Sequence, residues 1–291
     1  MRAFPNWTLL AIIFLIGCSS KETPKKSGQF KFHFTQYSPS VKDTFYIDVQ
    51  LPNQYFEKPA KKYPTLIFLD GNFYFPMMAP IISQYEFTGL LHPAIVVAVG
   101  YKSFPMMDSL RVRDYMFPKA LPLDEIKTEG GGQKFYHFIT QELLPKIDKE
   151  YRTDPTKRSL LGHSFGGYFV LYSLMYQVQN KTHDFKYFVA ASPTLWYNKF
   201  YLNQLPQLLE KSDGPLGVFL SVGGREDSTW SVNPVKFLTT EIQKKKIDDL
   251  DFKSRVYNHL GHMDVAVLSF TKGLQELEAT KNKSKSGSTV Y

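Results

Sequence analysis

Apolar and polar residues alternate from Phe30 to Gln36 and again from Thr44 to Leu51, the period of strands with one face buried, so both read as antiparallel strands. Thr65–Leu69 and Ala94–Val99 are instead unbroken apolar runs, as expected of central strands covered on both sides. Leu160–Leu161, Phe188–Ala191, Val218–Val222 and Phe252–Tyr257 supply further strands. The period changes to helical over Gln133–Tyr151, where Phe135, Phe138, Ile139, Leu143 and Ile147 share a face. It is helical again over Phe165–Gln177, Phe200–Glu210, Val235–Lys246 and Asp264–Ala279. Strands alternating with helices predict an α/β domain: a mostly parallel central sheet, antiparallel N-terminal strands, right-handed crossovers and helices on both faces. Such sheets bind ligands at the carboxyl ends of their strands.

The termini are different. Arg2 precedes an apolar stretch from Trp7 to Ile16, too short for a stable span. Leu15-Ile16-Gly17-Cys18 then resembles the lipobox of bacterial lipoproteins, and Cys18 is the chain's single cysteine. The expected organisation is a lipoprotein signal peptide over 1–17 and a Lys/Ser/Pro-rich tether over 18–29. The α/β domain would fill 30–279, with a disordered tail over 280–291. The expected location is a membrane surface outside the cytoplasm, reached through a lipid on Cys18. The 291 residues, 43% hydrophobic and 21% charged, suit one large domain. The net charge of +8 changes little: Arg2, Lys21, Lys25 and Lys26 less Glu22, with Lys281, Lys283 and Lys285, account for six of it. The body is left nearly neutral, which argues against a nucleic-acid groove.

The stretch Arg158–Val170 carries the chemistry. It contains Gly162-His163-Ser164-Phe165-Gly166-Gly167, a G-x-S-x-G between a strand-like and a helix-like run. Glycines two places either side of the serine let strand and helix approach backbone to backbone. Such a turn lifts the Ser164 hydroxyl clear of the sheet and aims the Phe165 N–H at a developing oxyanion.

A serine needs a base and a group to orient that base. His33 and His92 precede it, His137 sits on a helical pattern, His163 adjoins it on a strained turn, and His183 lies in a polar connection. His259 and His262 follow the last strand, and Gly261 with the apolar helix after it favours His262 over His259. The acid should follow Val218–Val222, where Gly223-Gly224-Arg225-Glu226-Asp227 offers two adjacent carboxylates that chemistry alone leaves open. A second oxyanion donor is expected from Leu69-Asp70-Gly71-Asn72-Phe73, through the backbone N–H of Asn72 or Phe73.

Together these pieces resemble the esterase family that contains esterase D, the enterobactin and salmochelin esterases, feruloyl esterases and mycolyltransferases. The resemblance rests on Phe68–Asn72, Arg111-Val112-Arg113-Asp114-Tyr115-Met116-Phe117-Pro118, Gly131-Gly132, Leu144–Asp148, Tyr151-Arg152-Thr153 and Gly162–Gly167. It continues through Ser192-Pro193-Thr194-Leu195-Trp196, Gly223–Glu226 and Gly261-His262. It implies an α/β-hydrolase fold with Ser164 as nucleophile, His262 as base and Glu226 as acid, needing no metal or organic cofactor. Tyr115-Met116-Phe117-Pro118 where the family usually has Thr-Pro, and Trp196-Tyr197 where tryptophan is often doubled, bear on specificity.

The resemblance points to a small-molecule ester, with siderophore trilactones ahead of acyl groups on carbohydrate. Phe73 and Trp196 are candidates to stack on a flat group, and Arg113 either to meet an anionic one or to pair with Asp114 or another carboxylate of the fold. An acyltransferase, or a lipoprotein using the fold only to bind, would keep the same framework; the complete Ser164, Glu226 and His262 set argues against a pure binder.

Overall fold

The computed structural model describes residues 31–283. The expected signal peptide, Cys18 and tether lie outside the described residues, as do Phe30 and 284–291.

Eight strands form one sheet: β1 (Lys31–Ser38), β2 (Asp43–Gln50), β3 (Tyr63–Phe68), β4 (Ile95–Gly100), β5 (Thr153–His163), β6 (Tyr187–Ala191), β7 (Leu216–Gly223) and β8 (Leu250–Tyr257). Their order is β1-β2-β4-β3-β5-β6-β7-β8. The β1–β2 and β2–β4 pairs are antiparallel, and every pair from β4 to β8 is parallel. Period-two alternation sorts the central strands between two cores. Ile67, Val97, Val99, Leu160, Phe188 and Leu220 face one side, while Leu66, Phe68, Val96, Leu161, Val189 and Phe219 face the other.

Helices α1 (Gly71–Phe87) and α9 (Val265–Lys283) cover the second side. The first side is covered by α2 (Phe104–Tyr115), α3 (Gly132–His137), α4 (Leu144–Glu150), α5 (Phe165–Asn180), α7 (Leu205–Leu209) and α8 (Asn233–Lys245). A short turn, α6 (Tyr197–Phe200), precedes α7.

Five features depart from the pattern in the sequence. Helix α1 was not expected, because Pro76 and Pro80 interrupt its apolar run and each deletes an intrahelical N–H. Nor was α2, which has no apolar stripe; Ser103 caps it, accepting from the Met106 N–H at 3.4 Å, and Pro105 occupies its first turn. The expected helix Gln133–Tyr151 is divided by a π-helical segment, Phe138–Leu143, between α3 and α4. The expected helix Phe200–Glu210 starts only at Tyr201. Before it, Asn198, Lys199 and Phe200 are all left-handed, with φ of 50°, 53° and 59°. Three successive non-glycine residues in that region cost about 1–2 kcal/mol each, so the surroundings must impose the conformation. Finally, α9 runs on to Lys283, four residues past the Ala279 at which the helical pattern was expected to end.

Candidate active site

The carboxyl ends of β3, β5, β6, β7 and β8 converge on Ser164. The chain leaves β5 through Ser164 at φ 61°, ψ −119°, a conformation that costs energy in any residue but glycine, and enters α5 at Phe165. The turn is fixed on three sides. The Ser164 N–H donates to the Ala191 carbonyl at 3.0 Å, and the Ser164 carbonyl accepts from the Tyr168 and Thr194 N–H groups at 2.9 and 3.3 Å. A Cβ on Gly162 would lie 2.3 Å from the Gly166 carbonyl oxygen, so the close approach expected of this turn is present.

His262 stands on the loop after β8, and its Nδ1 lies 2.8 Å from Glu226 Oε2. Glu226 is also bonded by the Gly223 N–H at 2.7 Å through Oε1, and by the Ser192 hydroxyl at 2.5 Å through Oε2. Burial alone would raise this carboxyl; the hydrogen bonds from His262, Ser192 and Gly223 outweigh it and hold Glu226 below the ordinary carboxylate range. The neighbouring carboxylate does something else. Asp227 Oδ1 accepts from the Thr229 and Trp230 N–H groups at 2.8 Å each and caps the turn Ser228–Val232. Of the two acids left open by the sequence, Glu226 is the one against the imidazole. With Nδ1–H directed to Glu226, Nε2 is the nitrogen left for the Ser164 hydroxyl. Ser164 and His262 line one cavity of about 140 Å³ with Asp70, Phe73, Arg111 and Met263. No hydrogen bond joins the two side chains across it, and ligand-free sites are often looser than the reacting complex. His259 is an exposed loop residue outside this cavity.

Two residues beside the site gave no clear signal in the sequence. Ser192 follows β6 at φ 43°, buried, with its N–H donating to the Ser221 carbonyl at 2.7 Å. Its hydroxyl lies 3.1 Å from His262 Nδ1 as well as against Glu226. The strained backbone holds that hydroxyl on the acid–imidazole pair. His163 is 3% exposed, and its Nε2 lies 2.7 Å from the His262 carbonyl, to which it can only donate. Burial, with His262 beside it, pulls the His163 imidazole down to about 3, so it stays neutral and tethers the His262 loop.

The loop after β3 turns on Asp70, itself left-handed at φ 54°. Asp70 is fixed by Arg111, whose Nε and Nη2 reach its two oxygens at 2.9 and 2.8 Å, while Nη2 also donates to the His163 carbonyl at 3.0 Å. This bidentate pair joins α2, the β3 loop and the Ser164 turn. The Phe73 N–H is spent on the Asp70 carbonyl at 2.9 Å. Among the described residues no hydrogen bond takes the Asn72 N–H, and the Asn72 side chain is locked onto Tyr101 by two bonds of 2.7 Å. Between Asn72 and Phe73 it is therefore Asn72 that keeps a free donor. The Phe165 N–H opens α5 in the same condition.

The three candidates for substrate contact separate. Phe73 lines the Ser164 cavity, its ring 5.8 Å from that of Phe104. Trp196 lines a different cavity of about 500 Å³ with Leu123, Asp124, Glu125, Lys199, Phe200 and Trp230. Arg113 lines neither: its guanidinium is taken by Asp114 at 2.8 and 2.9 Å and by Asp43 at 2.8 Å. Asp114 is buried, so Arg113 neutralises a fold carboxylate rather than facing a substrate anion.

The chain is similar to several known proteins. A ferri-bacillibactin esterase of Bacillus subtilis is 30% identical over 198 residues, which are 63% of this chain and 66% of that one. An apo-salmochelin esterase of Escherichia coli is 30% identical over 182 residues, 58% of this chain and 53% of the other. The chain thus spans between about half and 66% of the length of these curated relatives. Among solved structures, the BES protein of Bacillus cereus superposes with a TM-score of 0.75 at 24% identity, over 94% of this chain and 99% of that one. An IroE-like serine hydrolase of Shewanella oneidensis superposes with a TM-score of 0.72 at 22% identity, over 84% and 79%. These likenesses show the α/β-hydrolase fold expected from the sequence. The profile of the family described as "Putative esterase" matches residues 38–272, most of the chain, and it is to that family that the protein belongs.

Proposed function

We propose that the protein is a serine esterase that cleaves siderophore-type esters through an acyl-enzyme. The observation that carries this reading is the convergence of Ser164, His262 and Glu226 at the carboxyl edge of the sheet, with Glu226 Oε2 2.8 Å from His262 Nδ1. His262 Nε2 takes the Ser164 proton as Oγ attacks the ester carbonyl. Glu226 stabilises the imidazolium and fixes its tautomer. The Phe165 and Asn72 N–H groups receive the tetrahedral oxyanion. His262 then returns the proton to the leaving alkoxide, and water repeats the sequence to release the acid and free Ser164. The siderophore class is carried over from relatives named for ferri-bacillibactin, apo-salmochelin and enterobactin esters.

Labelling with a fluorophosphonate, followed by peptide mass spectrometry, tests the nucleophile. The adduct is expected on Ser164 and is lost in His262→Ala; an adduct on any other residue contradicts the assignment. A membrane anchor through a lipid at Cys18 is part of the same proposal, supported by the Leu15–Cys18 motif. Metabolic labelling with palmitate should mark the full chain and not Cys18→Ser, and equal labelling of both would overturn the anchor.

A further inference from the structure

The Ser164 cavity, at about 140 Å³, has room for an ester and little else, since small-molecule sites usually run to roughly 300–1,000 Å³. The 500 Å³ cavity lined by Trp196 and Trp230 falls in that range. Its walls are extensions of the catalytic loops. Trp196 lies two residues, at most about 7 Å of chain, beyond Thr194, whose N–H holds the Ser164 carbonyl. Trp230 lies four residues beyond Glu226, on the turn capped by Asp227. The carboxylate not used at His262 therefore sets the backbone of this wall. The Phe200 and Trp230 rings are nearly parallel, 10° between planes with centroids 6.3 Å apart, and Trp230 is half exposed.

Phe200 and Lys199 reach this wall from the left-handed turn, which is bolted in place. Asn198 Nδ2 donates to the Lys119 carbonyl at 2.8 Å, and the Tyr197 hydroxyl donates to the Pro118 carbonyl at 2.6 Å. Strain held by such anchors, at residues lining an open apolar cavity, is expected where function requires the shape. The charged groups of the lining are two carboxylates, Asp124 and Glu125, and one cation, Lys199.

We infer that this cavity is a subsite for a second aromatic arm of the ester substrate, and that it takes the arm as an iron-free, uncharged catechol. This rests on the esterase reading and deepens it. The aromatic walls stack a flat ring, and the carboxylates accept its phenolic hydrogens. A ferric tris-catecholate is multiply anionic and meets two carboxylates against one lysine. The relatives divide on this point, one being named for a ferric and another for an iron-free substrate. The lining charge assigns this chain to the iron-free side.

The chain supplies its own reporter. It has three tryptophans, and two of them line this cavity. In the full chain carrying Trp7→Phe and Ser164→Ala, titration with N-(2,3-dihydroxybenzoyl)serine should quench the remaining tryptophan emission to saturation. The ferric complex should bind at least tenfold more weakly, and Glu125→Gln should narrow that gap. In enzyme with Ser164 intact, the ratio of kcat/KM for an iron-free catechol trilactone to that for p-nitrophenyl acetate should fall at least tenfold in Trp230→Ala and in Phe200→Ala. Absence of saturable quenching, tighter binding of the ferric complex, or an equal loss on both esters would each overturn the subsite. Because binding is read without Ser164, it is independent of turnover. Binding with no hydrolysis by the wild type strikes the esterase reading, and hydrolysis with no binding strikes the subsite.

Discussion

The two cavities at the carboxyl edge of the sheet differ in how they are held. Around Ser164 every loop is tied by charge-assisted bonds: Arg111 to Asp70 and to the His163 carbonyl, His262 to Glu226, Ser192 to Glu226. Around Trp196 and Trp230 the ties lie behind the wall, in the Tyr197, Asn198 and Asp227 bonds, and the lined surface is aromatic and open. Bond-making needs groups fixed to a fraction of an ångström, so the first region places polar partners in its lining. Recognition of a flat ring needs area and shape, so the second keeps its polar bonds out of the way.

Adjacent residues make the sharpest break between the regions. Glu226→Gln should lower kcat by about 10²–10⁴-fold, because the amide can hold the imidazole in the wrong tautomer and cannot stabilise its cation. Asp227→Ala, which removes the cap on the Thr229 and Trp230 N–H groups, should cost far less in kcat on p-nitrophenyl acetate and act mainly on catechol-bearing esters through Trp230. Steady-state kinetics on both esters decide it; equal losses in the two variants would erase the distinction.

Next in size is Ser192→Ala, expected to lower kcat/KM about 10–100-fold, the worth of one hydrogen bond to a charged group. Losing that bond also raises the Glu226 carboxyl toward ordinary values, a rise read by carboxyl NMR titration of the variant against wild type. A smaller loss with no change in that titration would reduce Ser192 to packing.

His163 acts on stability. Its folded pKa lies at about 3, below the value near 6.5 in the unfolded chain, so between those values the unfolded state binds the extra proton. Its contribution is therefore intact above about pH 6.5 and declines as pH falls, by at most about 1.4 kcal/mol per pH unit. Denaturant unfolding of His163→Gln should show a flatter pH slope than wild type between pH 4 and 6. Parallel slopes would mean that His163 is not buried neutral.

The smallest effect on activity is expected from Arg113→Ala. The Tm should fall, because buried Asp114 keeps only the Tyr101 hydroxyl at 2.9 Å among the side-chain partners described. KM for anionic esters should stay within about twofold of wild type. A large KM increase with unchanged Tm would return Arg113 to the substrate.

Much of this was legible in the sequence, and the failures have causes. Buried strands announce themselves by continuous apolar runs, and Gly162–Gly167 by the steric demand of its turn. His262 was legible because Gly261 and the following apolar run fix where its loop must sit. The α1 helix was hidden by two prolines, and α2 by a composition that serves ion pairs rather than a core. Ser192 before Pro193 reads as an ordinary turn; its backbone strain and its reach to Glu226, 34 residues away, are tertiary facts. The pairing of Asp70 with Arg111, 41 residues apart, is likewise invisible to local pattern. Arg113 adjoins Asp114 in sequence, but the burial of Asp114 that claims its guanidinium, and the second bond to Asp43 70 residues away, are tertiary facts.

The central claim is that Ser164 opens a siderophore-type ester. Its most direct test is hydrolysis of an iron-free catechol trilactone by the full chain and by Ser164→Ala, with products followed by chromatography and mass spectrometry. Steady release of the linear trimer and smaller fragments is expected from the wild type, and a loss of about 10³-fold or more in the variant. Equal rates in the two proteins, or no turnover by the wild type, would contradict that claim.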